Sequence, residues 1–119
     1  MIKFYGYKKC STCAKAEKIL GGLNQQYQYI DVTENPPSTS QLKQIFKIAG
    51  ILPRQAFNTH GILYKELNLK EKVDSMQDND IIDMMAMQGR LIKRPLITDG
   101  TRASIGFKEE DFKKLWKKT

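Results

Sequence analysis

Residues 2–13 read Ile2-Lys3-Phe4-Tyr5-Gly6-Tyr7-Lys8-Lys9-Cys10-Ser11-Thr12-Cys13: a short aromatic-rich run, two lysines and two thiols three residues apart. The run at 2–7 has the composition of a strand. Beyond it the pattern changes. Ala14, Ala16, Ile19 and Leu20 suit a helix from Ser11 to about Leu20, with Ser11 or Thr12 expected to cap its first turn and Gly21-Gly22 to stop it. Residues 26–32, Gln-Tyr-Gln-Tyr-Ile-Asp-Val, alternate polar and apolar side chains and predict a second strand. Strand, helix and strand within about 30 residues make a βαβ unit, whose strands run parallel. The Cys10-Ser11-Thr12-Cys13 motif falls at the junction of the first strand and the first helix.

That junction matters chemically because a thiol reacts as its thiolate. The backbone amides of a helix N-terminus favour an anion, so Cys10 is placed to ionise easily. Lys8 and Lys9 precede it, but exposed lysines act weakly through solvent. Cys13 follows one helical turn later, where its sulfur can attack a mixed disulfide formed at Cys10 and release the partner. Cys10 is therefore the expected nucleophile and Cys13 the expected resolving thiol. The other readings are two unreactive thiols or half of a metal site. A closed zinc site needs about four ligands. The single histidine, His60, lies far along the chain in an expected turn, so no metal and no bound cofactor are anticipated.

Working outward, Pro36-Pro37 breaks the chain and Ser38 begins a second helix carrying Leu42, Ile45, Phe46 and Ala49, ended by Gly50. Residues 51–75 read as short pieces with turns at Pro53, Asn58 and Gly61, and Tyr64 and Leu67 predict one brief helix. Asp78 or Asn79 is expected to cap a further helix with Ile81, Ile82, Met84, Met85 and Met87, ended near Gly89, its methionines filling core. Residues 91–98 are strand-like but contain Pro95, Asp99-Gly100 signals a hairpin, and 102–106 are the return strand. Glu109 to Lys117 predicts a last helix with Phe112, Leu115 and Trp116 on one face.

A chain of 119 residues, 40% of them hydrophobic, supports one core and not two. No apolar run approaches the ~20 residues of a membrane helix, and the first residues lack a signal-peptide apolar segment. Two cysteines do not make a disulfide scaffold, so a reducing, cytoplasmic setting is expected. Lys and Arg number 20 against 13 acidic residues, a net charge of +7 that can attract oxyanions, acidic protein surfaces or nucleic acid. The lysines are scattered apart from Lys113, Lys114, Lys117 and Lys118, without interleaved aromatics or a nucleic-acid motif. A solvated basic surface is the plainest account, and no direct nucleic-acid binding or membrane association is expected.

Cys10-Ser11-Thr12-Cys13 and Arg94-Pro95-Leu96-Ile97, with Glu34-Asn35-Pro36-Pro37 and Tyr64-Lys65-Glu66-Leu67, resemble the ArsC/Spx family over nearly all of residues 1–117. This is the glutaredoxin-linked, arsenate-reductase-like branch of the thioredoxin superfamily. The resemblance implies an α/β fold with a thioredoxin/glutaredoxin-like mixed sheet and a helical insertion at about 38–88, residues 1–119 forming one domain. It implies a cis-Pro at Pro95 across from the cysteines, shaping a substrate groove with Ser11 and Thr12. Arg94 is then a cation beside the Cys10 thiolate or an oxyanion ligand.

Arsenate reductases of this type use one cysteine and three arginines. Here Arg94 matches, Asn58 stands where the second arginine is expected, and the third would fall near Ile105. Arg54 and Arg102 lie close in sequence but out of register. An arsenate dianion needs several cationic donors, so this departure counts against arsenate reduction. Two functions are implied. One is a cytoplasmic, monomeric thiol–disulfide redox protein acting on a thiol or disulfide protein or on glutathione, with glutathione, glutaredoxin or thioredoxin returning electrons. The other is an Spx-like redox-switched transcriptional regulator binding the C-terminal domain of the RNA polymerase α subunit.

Overall fold

The computed structural model describes residues 1–118. Strand β1 (Ile2–Gly6) is the second strand of a four-stranded sheet and is buried on both faces. It pairs in parallel with β2 (Tyr27–Asp31), as the βαβ reading requires, with α1 (Ser11–Gly22) as the crossover. On its other side β1 pairs antiparallel with β3 (Leu96–Thr98), which pairs antiparallel with β4 (Ala103–Ile105), giving the order β2-β1-β3-β4. The sheet is thus mixed, as expected.

Alternation along β1 divides the core in two. Ile2 and Phe4 face α1 and the terminal helix α6 (Glu109–Trp116), packing with Cys13, Ala16, Leu20, Ile97, Phe112 and Trp116. Tyr5 belongs to the opposite cluster. There α2 (Thr39–Ala49) supplies Leu42, Ile45 and Phe46, and α5 (Asp78–Met87) supplies Ile81, Ile82 and Met85. Helices therefore cover both faces of the sheet.

The connection from β2 to β3 is a helical insertion. It holds α2, α3 (Ile62–Glu66), α4 (Leu69–Lys72) and α5, with 3-10 turns at Pro53–Ala56, Val73–Ser75 and Gly89–Leu91. Ser38 caps α2 with a reciprocal Gln41 bond, and Gly50 ends the helix in the left-handed region at φ 70°. Gly89 is close-packed: a Cβ there would stand 1.8 Å from the Val32 carbonyl oxygen.

Several elements differ from the sequence reading. Gly21 and Gly22 lie inside α1, and the chain reverses instead at Asn24, which takes φ 57°. The single brief helix expected at Tyr64–Leu67 is two, α3 and α4, split by Asn68 at φ 56°. Gln77, not Asp78 or Asn79, precedes α5, and its N–H donates to the Asp80 carboxylate at 3.3 Å. Met85 fills core as expected, but Met87 is exposed. The strand-like run 91–98 is a strand only at 96–98. Its earlier part turns and pairs with the insertion, Ile92 bridging Phe57 and the Lys93 N–H reaching the Ala56 carbonyl at 2.7 Å. No helix among the described residues is long and apolar enough to cross a membrane.

Candidate active site

The end of β1 and the start of α1 bring the two sulfurs together. The Cys10 N–H donates to the Tyr7 carbonyl at 3.0 Å, closing the turn that delivers the chain into the helix. Cys10 is itself the N-cap, extended at φ −97° and ψ 115°, and its sulfur accepts the Cys13 N–H at 3.4 Å. The expectation that Ser11 or Thr12 would cap is corrected. Ser11 is already the first helical residue, and the thiol takes the place usually held by a hydroxyl or carboxylate. Thr12 serves the sulfur instead, its Oγ1 lying 3.0 Å from Cys10 Sγ.

These contacts separate two chemically identical thiols. Burial pushes the Cys10 thiol up, but hydrogen bonds from the Thr12 hydroxyl, the Cys13 thiol and the Cys13 N–H, with the positive charge of Arg94, outweigh it and hold Cys10 below its ordinary value. Cys13 is fully enclosed by the core. Burial first, and then its hydrogen bond to Cys10, push it up to about 12. Both cysteines are free thiols in this structure. Lys8 and Lys9 are exposed.

Cys10 opens into a cavity of about 290 Å³ shared with Thr12 and Arg94. The Arg94 guanidinium stacks over the Tyr7 ring at 5.2 Å from its centroid, which fixes it beside the loop that carries the thiol. The Arg94–Pro95 bond is cis. Pro95 itself is buried behind the wall, its carbonyl accepting the Gly106 N–H at 2.9 Å, so it does not line the cavity, and neither does Ser11. His60, expected to be remote, is at the cavity wall with Asn58 and Thr59. The insertion puts it there: the Asn58 N–H donates to the Leu91 carbonyl at 2.8 Å, and the Gly61 N–H closes the turn on Asn58 at 3.1 Å. Lys93, Gly106 and Phe107 complete the lining. Among the described residues no group of three or more His, Cys, Asp or Glu is placed to hold a metal ion.

The four arginines divide cleanly. Arg94 alone lines the cavity. Arg54 pairs with Asp74 at 3.2 Å. Arg102 pairs with Asp99 at 3.0 Å, stacks on Trp116 and donates to the Leu115 and Lys117 carbonyls, tying the hairpin to the last helix. Arg90 is exposed away from the lining. Asn58 does stand at the wall, where it offers an amide and no charge.

The family model described as ArsC family matches residues 5–115. YusI of Bacillus subtilis (strain 168), described only as an uncharacterized protein, is 43% identical over 97% of this chain and 98% of its own length. A global transcriptional regulator Spx of Lactiplantibacillus plantarum is 23% identical over 97% of this chain and 86% of its own. Among solved structures, an arsenate reductase from Vibrio cholerae superposes with a TM-score of 0.84 at 27% identity, covering 96% of each chain. The chain belongs to the ArsC family, with the mixed-sheet α/β fold of its thioredoxin-like relatives.

Proposed function

We propose that this ArsC-family chain is a thiol–disulfide redox protein with Cys10 as nucleophile and Cys13 as resolving thiol. The observation that carries the reading is the asymmetry of the pair: Cys10 is half-buried at a cavity and held below its ordinary thiol value, while Cys13 is buried and raised to about 12. The Cys10 thiolate attacks a disulfide R–S–S–R′, forms Cys10–S–S–R and expels R′–S⁻. Cys13 then attacks the Cys10 sulfur, its proton leaving with the departing R–S⁻. The protein ends with a Cys10–Cys13 disulfide and the substrate as two thiols. Two electrons have moved, and a glutathione, glutaredoxin or thioredoxin thiol returns them. Arg94 supports the thiolate; one guanidinium does not make the set of donors that an arsenate dianion needs.

The test is paired substitution. Cys10→Ser abolishes turnover of a small disulfide, whereas Cys13→Ser leaves a stable mixed disulfide on Cys10, visible as an adduct mass. Equal reactivity of the two thiols of the native protein toward iodoacetamide overturns the assignment. Arsenate consumption in the presence of glutaredoxin is expected to be absent.

The second reading is a redox-switched regulator that docks on the RNA polymerase α C-terminal domain. Its support is the match to a transcriptional regulator along 97% of the chain. Binding to that domain that changes when Cys10 and Cys13 are oxidised, with slow turnover of small disulfides, favours this reading over the first.

A further inference from the structure

The cavity at Cys10 is one segment of a longer groove. On one side it shares Thr59 and His60 with a cavity of about 570 Å³ that reaches Tyr64, Lys65 and Lys70 on α3 and α4. On the other it shares Lys93, Gly106 and Phe107 with a cavity of about 340 Å³ that runs along β4 and α6 to Lys108 and Leu115. Cys10 therefore sits in the middle segment, with space on both sides of the sulfur.

The charge along this path is one-sided. Lys65 and Lys70 stand at one end, Lys93 and Arg94 at the centre and Lys108 at the other end, against a single carboxylate, Asp111. The ion pairs among the described residues involve Arg54, Arg102 and Lys113, so none of these five cations has a salt-bridge partner. The floor is apolar and aromatic, with Tyr64, Phe107 and Phe112. Unpaired cations flanking an apolar trough complement an extended chain with acidic side chains, and a low-dielectric groove of one sign concentrates such a ligand.

We infer that this groove is the binding site for the substrate polypeptide of the exchange reaction, an extended acidic segment whose cysteine disulfide is laid across Cys10. The inference rests on the thiol–disulfide reading and adds the substrate class. The segment lies with acidic residues over Lys65 and Lys70 on one side of its cysteine and over Lys108 on the other. Lys93 and Arg94 meet the residues next to the disulfide. Exchange then follows the steps given above, with R–S the cysteine of the segment.

The experiment uses octapeptides with a central cysteine carried as the 2-thiopyridyl disulfide. Their flanks are Glu-rich, Gln-rich or Lys-rich, and glutathione 2-thiopyridyl disulfide is the short probe. The second-order rate of thiopyridone release is measured with the full chain. The Glu peptide is expected to exceed the Gln peptide about tenfold at low salt, and the Lys peptide to fall below it, with the spread shrinking as salt rises. The double variant Lys65→Glu, Lys70→Glu is expected to lose most of the Glu-over-Gln ratio. Lys43→Glu, Lys47→Glu on α2, outside the groove, makes the same change in net charge and keeps the ratio. Equal rates for the Glu and Gln peptides overturn the proposal, as does a ratio that survives Lys65→Glu, Lys70→Glu. Acceleration confined to the glutathione probe overturns it too. An oligonucleotide that suppresses the Glu peptide's advantage at lower concentrations than the free Glu peptide assigns the groove to nucleic acid instead. If Cys10 reacts with none of the probes, the exchange reading fails first, and this inference with it.

Discussion

Hydrogen bonds within residues 10–13 and the charge of Arg94 hold one thiol below its ordinary value, burial in the core first of all makes the other inert, and each polar contact can be removed singly. Thr12→Val deletes the hydroxyl 3.0 Å from Cys10 Sγ, so the Cys10 titration moves up and alkylation at neutral pH slows several-fold. Arg94→Ala moves it in the same direction by less, since the Arg94 charge acts on Cys10 more weakly than the hydrogen bonds to Thr12 and Cys13. Iodoacetamide rates measured against pH check both, and an unchanged profile in either variant removes that residue from the thiolate's support. Tyr29 is a different case. Its hydroxyl is buried without a hydrogen-bond partner among the described residues, while its ring stacks on Phe4 at 5.3 Å. Tyr29→Phe keeps the stacking and removes an unsatisfied group. It is expected to raise stability by about 1 kcal/mol, read from urea melts. At this scale the cysteines and Arg94 were legible in the sequence because local spacing or adjacency to a proline marks them. His60 was not. It reaches the cavity only through the Asn58–Leu91 hydrogen bond, between residues far apart in the chain.

Among the elements, the βαβ unit and α2 could be read directly, since alternation, helical spacing and a Ser38–Gln41 box are local signals. Ser38→Ala is accordingly expected to cost about 1 kcal/mol by removing the cap. The run 91–98 could not be resolved by pattern alone. An apolar stretch of that length is compatible with a strand or a buried turn, and the choice falls to tertiary pairing with Phe57 and Ala56. Gly89 shows the same limit. Its sequence position suggests the end of a helix, whereas the structure requires it for the approach of the Gly89–Leu91 turn to Val32 at the end of β2. With a Cβ 1.8 Å from the Val32 carbonyl oxygen, Gly89→Ala must displace backbone. The expected loss is about 3 kcal/mol or more, whereas at Gly21, inside α1 with open space around an added Cβ, alanine costs nothing and favours the helix. Comparing the thermal midpoints of Gly89→Ala and Gly21→Ala separates close packing from a generic effect of replacing glycine.

For the whole molecule, the enclosure that makes Cys13 inert links stability to alkaline pH. Its folded value is raised from 9.0 to about 12, by burial first and the hydrogen bond to Cys10 second. Between those two values the unfolded chain releases the Cys13 proton and the folded chain keeps it. The unfolded state then binds fewer protons, so stability falls as pH rises. The contribution is fully present below pH 9 and is lost progressively up to about 12. Tyr27 and Tyr29, also raised to about 12 by burial, with the Glu17 hydrogen bond adding at Tyr27, steepen the loss above pH 10 in the same direction. Asp31 and Asp99 oppose it at the other extreme. Their carboxyls lie below the ordinary value because, against burial, Asp31 accepts from Thr33 and Asp99 from the Arg102 and Thr101 N–H groups. Their contributions are lost only as pH falls toward those lowered values. Cys10, held below 9.0 in the fold, acts in the opposite sense beneath that value, so urea midpoints of the reduced protein should rise as Cys10 ionises and then decline above about pH 9. The start of that decline belongs to the thiol, and in Cys13→Ala it should move up to where the tyrosines begin to ionise. A decline that begins at the same pH in both proteins would mean that the sulfur beneath Cys10 is not held in its protonated form by the fold.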